Sequence, residues 1–291
     1  MSRLPYLVMK YGGPIAGRAT PIAYPLAELA ATVTWTLRPA LRRSLANNMR
    51  LAGAPPSRAN ALGRRAFKRA LSYWVDAASL PYRDMRRFEQ DNLHIINPEH
   101  LDVLKQPGPL VIASGHCGNA ELAIHARLSR VRPFVALVEP LAPPEFLETM
   151  LQRRNAAGAK FVAANREGLR TCIRALHDGG VVGLMADVDI AGTGICTPLF
   201  GRCVRLPRGP WDLARRSGAQ IVPMFCLRGR RDHFVVRAYE PYTVAHTADS
   251  DADLREAAQR WARSFEDVLR RDPSQWVLLH DYAGRHACAA S

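Results

Sequence analysis

Residues 109–122 read Pro-Leu-Val-Ile-Ala-Ser-Gly-His-Cys-Gly-Asn-Ala-Glu-Leu, an unbroken apolar run that passes through a small-residue turn into the start of a helix. A run of this kind is a buried strand, and the carboxyl end of such a strand is where open α/β sheets bind ligands. The turn delivers His116 and, five residues on, Glu121. An imidazole titrates near neutral pH, and a carboxylate beside it can fix its tautomer and raise its basicity. The pair therefore has the outline of a general base and its orienter. The same spacing has a purely structural reading, in which Asn119 is an N-cap and Glu121 complements the helix dipole from the first turn. Spacing alone leaves both open.

On the carboxyl-terminal side of this stretch, apolar runs alternate with helical periodicity. Residues 110–114, 134–138, 160–163, 181–186, 221–227 and 234–239 read as strands, and 119–129, 144–157, 166–178, 208–217 and 250–272 read as helices. Alternation of this kind predicts an α/β fold: a single αβα domain with a central, largely parallel sheet flanked by helices. The 291 residues, 48% of them hydrophobic, are enough to bury one large core. On the amino-terminal side, residues 61–80 carry Phe67, Leu71, Trp74, Val75 and Ala78 on one helical face, and the division expected is an N-terminal helical region over 1–100 packed on an α/β core over 101–291.

A formal net charge of +14, from 40 Lys+Arg against 26 Asp+Glu, points to anionic partners such as phospholipid surfaces, nucleic acid or acidic carriers. No nucleic-acid-binding motif accompanies the charge, so nucleic acid is not expected. Residues 1–20 lack a compact apolar segment before a cleavage site, which reads as a cytoplasmic protein. Residues 21–40 are largely apolar, but Glu28 and Arg38 interrupt them. The run is too short to span a bilayer, and it fits either a core helix or one lying in the membrane interface, ahead of Arg38, Arg42, Arg43 and Arg50. The six cysteines show neither a CxxC pair nor zinc-like spacing and are expected to be reduced core residues. No metal site or cofactor is expected.

Two more clusters follow strand ends. Asp187 and Asp189 stand just after the run at 181–186, and Gly192, Gly194, Pro198 and Gly201 then read as a loop. An Asp-x-Asp pair can hold a divalent metal beside a nucleotide diphosphate, or it can be one buried and one exposed carboxylate. Arg205 and Arg208 flank a Pro/Gly-shaped helix entry of the kind that favours phosphate.

Taken in order, these pieces resemble the bacterial lipid A biosynthesis acyltransferases and the related phosphatidylinositol mannoside acyltransferases of the lysophospholipid acyltransferase superfamily. The family's His-x4-acid motif stands as His116-Cys-Gly-Asn-Ala-Glu121. It is followed by Glu139-Pro, Arg154-Asn-Ala-Ala-Gly158, Asn165-Arg-Glu-Gly168, Asp187-Val-Asp189, Pro198-Leu-Phe-Gly201, Arg208-Gly-Pro210 and Ser217-Gly-Ala-Gln-Ile-Val-Pro223. The resemblance implies a domain docked on the inner face of the cell membrane, moving a fatty acyl group from acyl-CoA or acyl carrier protein to a hydroxyl or amine of an amphiphilic acceptor. It makes His116 the base, Glu121 its partner, and Arg154, with backbone N–H groups near Gly115, the oxyanion donors. Glu139, Asn165, Asp187 and Asp189 would surround the acceptor, and Arg208 would bind phosphate. Cys117 and Ala120 are smaller than the family pattern, and the carboxyl-terminal Gln275-Trp-Val-Leu-Leu-His280-Asp-Tyr-Ala departs from it. Two readings compete: a metal-dependent sugar transferase built on Asp187 and Asp189, and a noncatalytic basic protein that binds anionic membrane.

Overall fold

The computed structural model describes residues 4–156, 158–230 and 232–288. Its strands are β1 (Leu93–Ile96), β2 (Leu110–Ser114), β3 (Phe134–Val138), β4 (Lys160–Ala163), β5 (Val181–Met185), β6 (Ile195–Leu199), β7 (Arg202–Leu206), β8 (Gln220–Arg228) and β9 (Phe234–Ala238). Seven of them form one sheet in the order β1-β9-β8-β2-β5-β3-β4. Only the hairpin-linked β8 and β9 run antiparallel; every other neighbouring pair in this sheet is parallel. The chain is therefore the α/β fold expected, with helices covering both faces. The apolar runs become fully buried strands because both faces of a parallel sheet are covered, and β2 is buried at every position.

Three features depart from the sequence reading: β1, inside the stretch expected to be helical, pairs with β9 at the edge of the sheet, and two more lie further on. The segment read as a loop after Asp189 contains an antiparallel hairpin, β6 with β7, turning at Phe200-Gly201. Pro198 and the alternation of small and polar residues masked it, since its outer face is solvent-exposed. The cysteines are not all reduced either: Cys196 on β6 is joined to Cys288 by a disulfide. Sequence spacing could not reveal a link between residues 92 apart.

The helix Ser250–Arg271 closes one face of the sheet. Asp249 caps it by accepting from the N–H groups of Asp251 and Ala252. Its buried edge carries Leu254, Ala258, Trp261, Phe265 and Leu269, and the Trp261 indole donates to the carbonyl of Ala113 at 3.1 Å. Phe225, Trp261, Phe265, Trp276 and Tyr282 form a chain of rings with successive centroids 6.0, 4.8, 5.5 and 4.7 Å apart, within the range where aromatic pairs attract beyond simple burial. This cluster reaches the end of β2, where Gly115 has no room for a side chain: a Cβ there would stand 2.5 Å from the Phe265 ring.

The amino-terminal helices Thr20–Leu37, Pro39–Leu51 and Pro56–Ser79 pack on the sheet and share its core through Trp35, Leu45, Met49 and Phe67. The first of them is inverted relative to a core helix. It buries Ala23, Ala31 and Trp35, and leaves Ile22, Leu26, Leu29, Val33 and Leu37 exposed along one stripe. Among the described residues no helix is long and apolar enough to cross a membrane.

Gly115→Ala is expected to lower stability by about 1–3 kcal/mol, the usual cost of overpacking, read as a lower urea midpoint with unchanged slope. An unchanged midpoint would mean that the close approach of Phe265 to β2 is not a constraint.

Candidate active site

Strand register builds the site. β2 and β5 are parallel neighbours with Ser114 opposite Met185, and the ladder continues with the Ala186 N–H donating to the Ser114 carbonyl at 2.7 Å. Two residues beyond each strand end stand His116 and Asp187, side by side at the carboxyl edge of the sheet. The imidazole Nδ1 donates to Asp187 Oδ1 at 2.8 Å, and the His116 backbone N–H donates to Oδ2 at 3.1 Å. The indole N–H of Trp276 donates to Oδ2 at 3.0 Å. From the other side, the Tyr282 hydroxyl donates to the Asp187 carbonyl at 2.7 Å, and Val277 N–H donates to the His116 carbonyl at 2.9 Å.

This geometry fixes protonation. Burial alone would raise the pKa of Asp187, which is 0% exposed, but the His116 charge, the bonds from its ring and backbone N–H, and the Trp276 N–H overcome it and hold the carboxyl below its ordinary value. Burial likewise pulls the His116 imidazolium down, and the Asp187 charge and hydrogen bond, with a smaller pull from Glu139, outweigh it and raise the pKa. With Nδ1–H committed to Asp187, the proton-accepting nitrogen is Nε2. His116 is half-buried and lines a cavity of about 370 Å³.

The cavity runs from His116 down between the sheet and the helices. Its floor is a row across three strands, Ile112, Gly183 and Ala136 in register, flanked by Phe134, Phe161 and Met224, with Tyr73, Trp74 and Ile124 opposite. Gly183 is what allows this: a Cβ there would stand 2.8 Å from the Phe134 ring. A volume of this size, mostly apolar with a few polar groups at one end, suits a ligand with an alkyl chain.

The other residues singled out from sequence divide sharply. Glu121 does not orient the imidazole. It sits in the first turn of the short helix Ala120–Ala123, capped by Asn119, and that direction carries its carboxylate to Arg154 at 2.7 Å and to the Tyr73 hydroxyl. Arg154 also donates to Tyr73 at 2.8 Å. All three line the cavity, and although burial works against the guanidinium charge, Glu121 and Tyr73 raise the Arg154 pKa. Glu139 stands exposed at the cavity rim.

Asn165, Asp189 and Arg208 are not among the residues lining the cavity. Asn165 caps the helix Arg166–His177 by accepting from the Gly168 N–H. Asp189 accepts from the N–H groups of Gly192 and Gly194 and shapes the turn before β6. Arg208 pairs with Asp251 on the surface. Asp187 and Asp189 therefore serve different partners and do not form a joint carboxylate pair. The N–H groups expected near Gly115 are also engaged: that of His116 by Asp187, Cys117 by the Gly115 carbonyl, Gly118 by Gln275 and Asn119 by Cys226.

Sequence reasoning missed three residues. Trp276 and Tyr282 hold Asp187, and Ser114 lines the cavity with a buried hydroxyl that has no partner among the described residues. The Asp187 contact has a signal in the sequence: each run is followed within two positions by a titratable residue, His116 after 110–114 and Asp187 after 181–186.

The sequence profile of bacterial lipid A biosynthesis acyltransferases matches residues 21–282. The chain belongs to this family. The acyltransferase is 28% identical over 245 residues to the phosphatidylinositol mannoside acyltransferase of Mycolicibacterium smegmatis, covering 82% of this chain and 77% of that one. It is 27% identical over 246 residues to its namesake in Mycobacterium tuberculosis, covering 82% and 75%. Among solved structures it matches the 1-acyl-sn-glycerophosphate acyltransferase PlsC of Thermotoga maritima at 13% identity with a TM-score of 0.39, covering 84% of this chain and 97% of that one. Membership makes the chain an acyltransferase.

Removing one member of the buried Glu121–Arg154 pair strands the other. Glu121→Gln is expected to destabilise by about 3–5 kcal/mol, whereas Glu121→Leu combined with Arg154→Met should cost less than either single change. Urea unfolding of Glu121→Gln, Glu121→Leu, Arg154→Met and the double variant checks this, and strictly additive losses in the last three would show that the two side chains act independently.

Proposed function

We propose that the protein transfers a fatty acyl group from a thioester donor, acyl-CoA or acyl carrier protein, to a hydroxyl or amine of a glycolipid, phospholipid or other amphiphilic acceptor. The observation that carries this reading is the His116–Asp187 bond at the mouth of an apolar cavity. In the proposed chemistry, Nε2 of neutral His116 takes the acceptor proton as the acceptor oxygen attacks the thioester carbonyl. The imidazolium that results is stabilised by Asp187 and returns the proton to the departing thiolate. The acyl chain lies along the Ile112–Gly183–Ala136 floor. Arg154 and the Ser114 hydroxyl are the cavity-wall donors for the oxyanion, taking the place of the occupied backbone N–H groups. Glu139, at the rim, faces the polar part of the acceptor. No cofactor or metal is invoked for this proton transfer. The names of the mycobacterial relatives favour a glycolipid acceptor.

The exposed stripe Ile22, Leu26, Leu29, Val33 and Leu37 supports peripheral attachment to the inner face of the cell membrane. Exposed Arg38, Arg42 and Arg43 follow it directly, the combination that seats a helix among anionic headgroups. Exposed Met185, Ile190 and Leu279 rim the cavity, which suits an acceptor drawn from a lipid layer.

Mass spectrometry of products from a panel of acyl thioesters and lipid acceptors tests the reading. His116→Ala and Asp187→Asn should each lose about 10²–10⁴-fold in kcat/KM, and Asp187→Asn should lose far more than Asp189→Asn. Because the base acts neutral and its pKa is raised, the acid limb of kcat/KM should lie above pH 6.5 in the native enzyme. It should move down in the residual activity of Asp187→Asn, where the charge that raises the His116 pKa is lost and burial is left to pull it down. Full turnover by His116→Ala would end the proposal. For the membrane reading, Leu26→Asp with Leu29→Asp should weaken cosedimentation with phosphatidylglycerol vesicles at least about tenfold; equal sedimentation would refute it.

A further inference from the structure

Cys196, Cys203 and Cys288 bring their sulfur atoms within 4.8 Å of one another, and none of them lines the cavity. Three neighbouring strand segments supply them. β6 pairs with β7, and residues 287–288 lie along β7, with Ala287 bridging Val204 and the Cys288 N–H donating to the Cys203 carbonyl at 3.1 Å. Cys196 and Cys288 are bonded, and Cys203 is a free, exposed thiol beside them. The other free cysteines, Cys117, Cys172 and Cys226, are buried, and burial pushes their thiols up, Cys172 to about 11 and Cys226 to about 12. Thiol chemistry follows thiolate character and access, so the described cysteines divide into an inert buried set and one accessible cluster.

The cluster is joined to the site by chain on both sides. β6 follows directly from the turn that begins at Asp187, and Cys288 ends the segment that carries Trp276 and Tyr282. Those two residues hold the Asp187 side chain and carbonyl. The disulfide thus closes a ring around the acid: Asp187 through the turn to Cys196, across to Cys288, and back through Tyr282 to the Asp187 carbonyl.

We propose that Cys196, Cys203 and Cys288 form a reversible thiol–disulfide site that locks the carboxyl-terminal segment onto the β6–β7 hairpin. A dithiol reductant opens it: one reductant thiolate attacks a sulfur of the Cys196–Cys288 bond, the other cysteine leaves as a thiolate, and the second reductant thiol releases the first, so that the reductant becomes the disulfide. Cys203 exchanges without any added oxidant or reductant, because its thiolate can attack Cys288 and expel the Cys196 thiolate, leaving a Cys203–Cys288 bond. That pairing keeps the segment tethered, whereas attack of Cys203 on Cys196 expels the Cys288 thiolate, leaves a Cys196–Cys203 bond and frees the segment, as reduction does. The effect on turnover rests on the acyl-transfer reading, whereas the sulfur chemistry does not.

The experiment equilibrates the full-length protein in glutathione or dithiothreitol redox buffers and maps disulfides by non-reducing peptide mass spectrometry. Expected in the oxidised protein are a Cys196–Cys288 linked peptide and a minor Cys203–Cys288 peptide that vanishes in Cys203→Ser. Reduction, or Cys288→Ser, should lower Tm by roughly 5–10 °C for a crosslink spanning so long a stretch of chain, and Cys203→Ser should leave Tm unchanged. For whichever thioester and acceptor turn over, reduction should cut kcat roughly tenfold and move the acid limb to lower pH, as Asp187 loosens its hold on His116. Three outcomes would overturn the proposal: full alkylation of all three cysteines after exposure to oxidised glutathione, an equal Tm in both redox states, or a reduced protein that retains one equivalent of zinc on these thiolates and resists oxidation. An absence of turnover with every thioester would fail the acyl-transfer reading while the peptide map and Tm still decide this one.

Discussion

The site depends on the pairing of two parallel strands. With Ser114 set opposite Met185, the residues two past each strand end must lie next to each other, and these are His116 and Asp187. A one-residue slip would turn every side chain of one strand to the opposite face, burying the wrong set against the helix Ser250–Arg271 and separating imidazole from carboxylate. The register is in turn fixed by burial on both faces. Core formation and assembly of the polar pair are therefore one event.

A fully buried carboxylate is costly unless its charge is met. Asp187 meets it with donors of different origin: a ring nitrogen, a main-chain amide and an indole. The indole belongs to the aromatic chain of Phe225, Trp261, Phe265, Trp276 and Tyr282, so apolar packing places a polar donor. Glu121 solves the same problem separately, by taking the buried Arg154 and the Tyr73 hydroxyl. Each of these two buried acids has its own donors, and His116, Glu121 and Arg154 all line the one cavity.

Much of this was legible in the sequence, and the failures have physical causes. Six of the eight strands from Leu110 onward, and the helices between them, follow from apolar runs and periodicity, and His116 follows from its place after a buried strand. The partner of His116 did not follow, because proximity along the chain favoured Glu121 whereas strand order, which brings β5 beside β2, decides the contact. Motif position marks Asn165 and Asp189 as site residues, yet short polar side chains beside glycines often cap helices and turns, and both do so here. The β6–β7 hairpin was hidden by Pro198 and by an exposed outer face with little apolar alternation. The disulfide joins segments whose meeting depends on the whole tertiary structure.

The grip of Asp187 on both the ring and the main chain of His116 has a consequence for how such a chain can vary. A side chain tethered at two points has almost no torsional freedom left, so its alignment is settled when the protein folds, and no reorganisation remains for the encounter with a ligand. Drift in the aromatic core would accordingly erode alignment before it erodes the fold, and large rings distant from any bound molecule would experience selection as stringent as the imidazole itself.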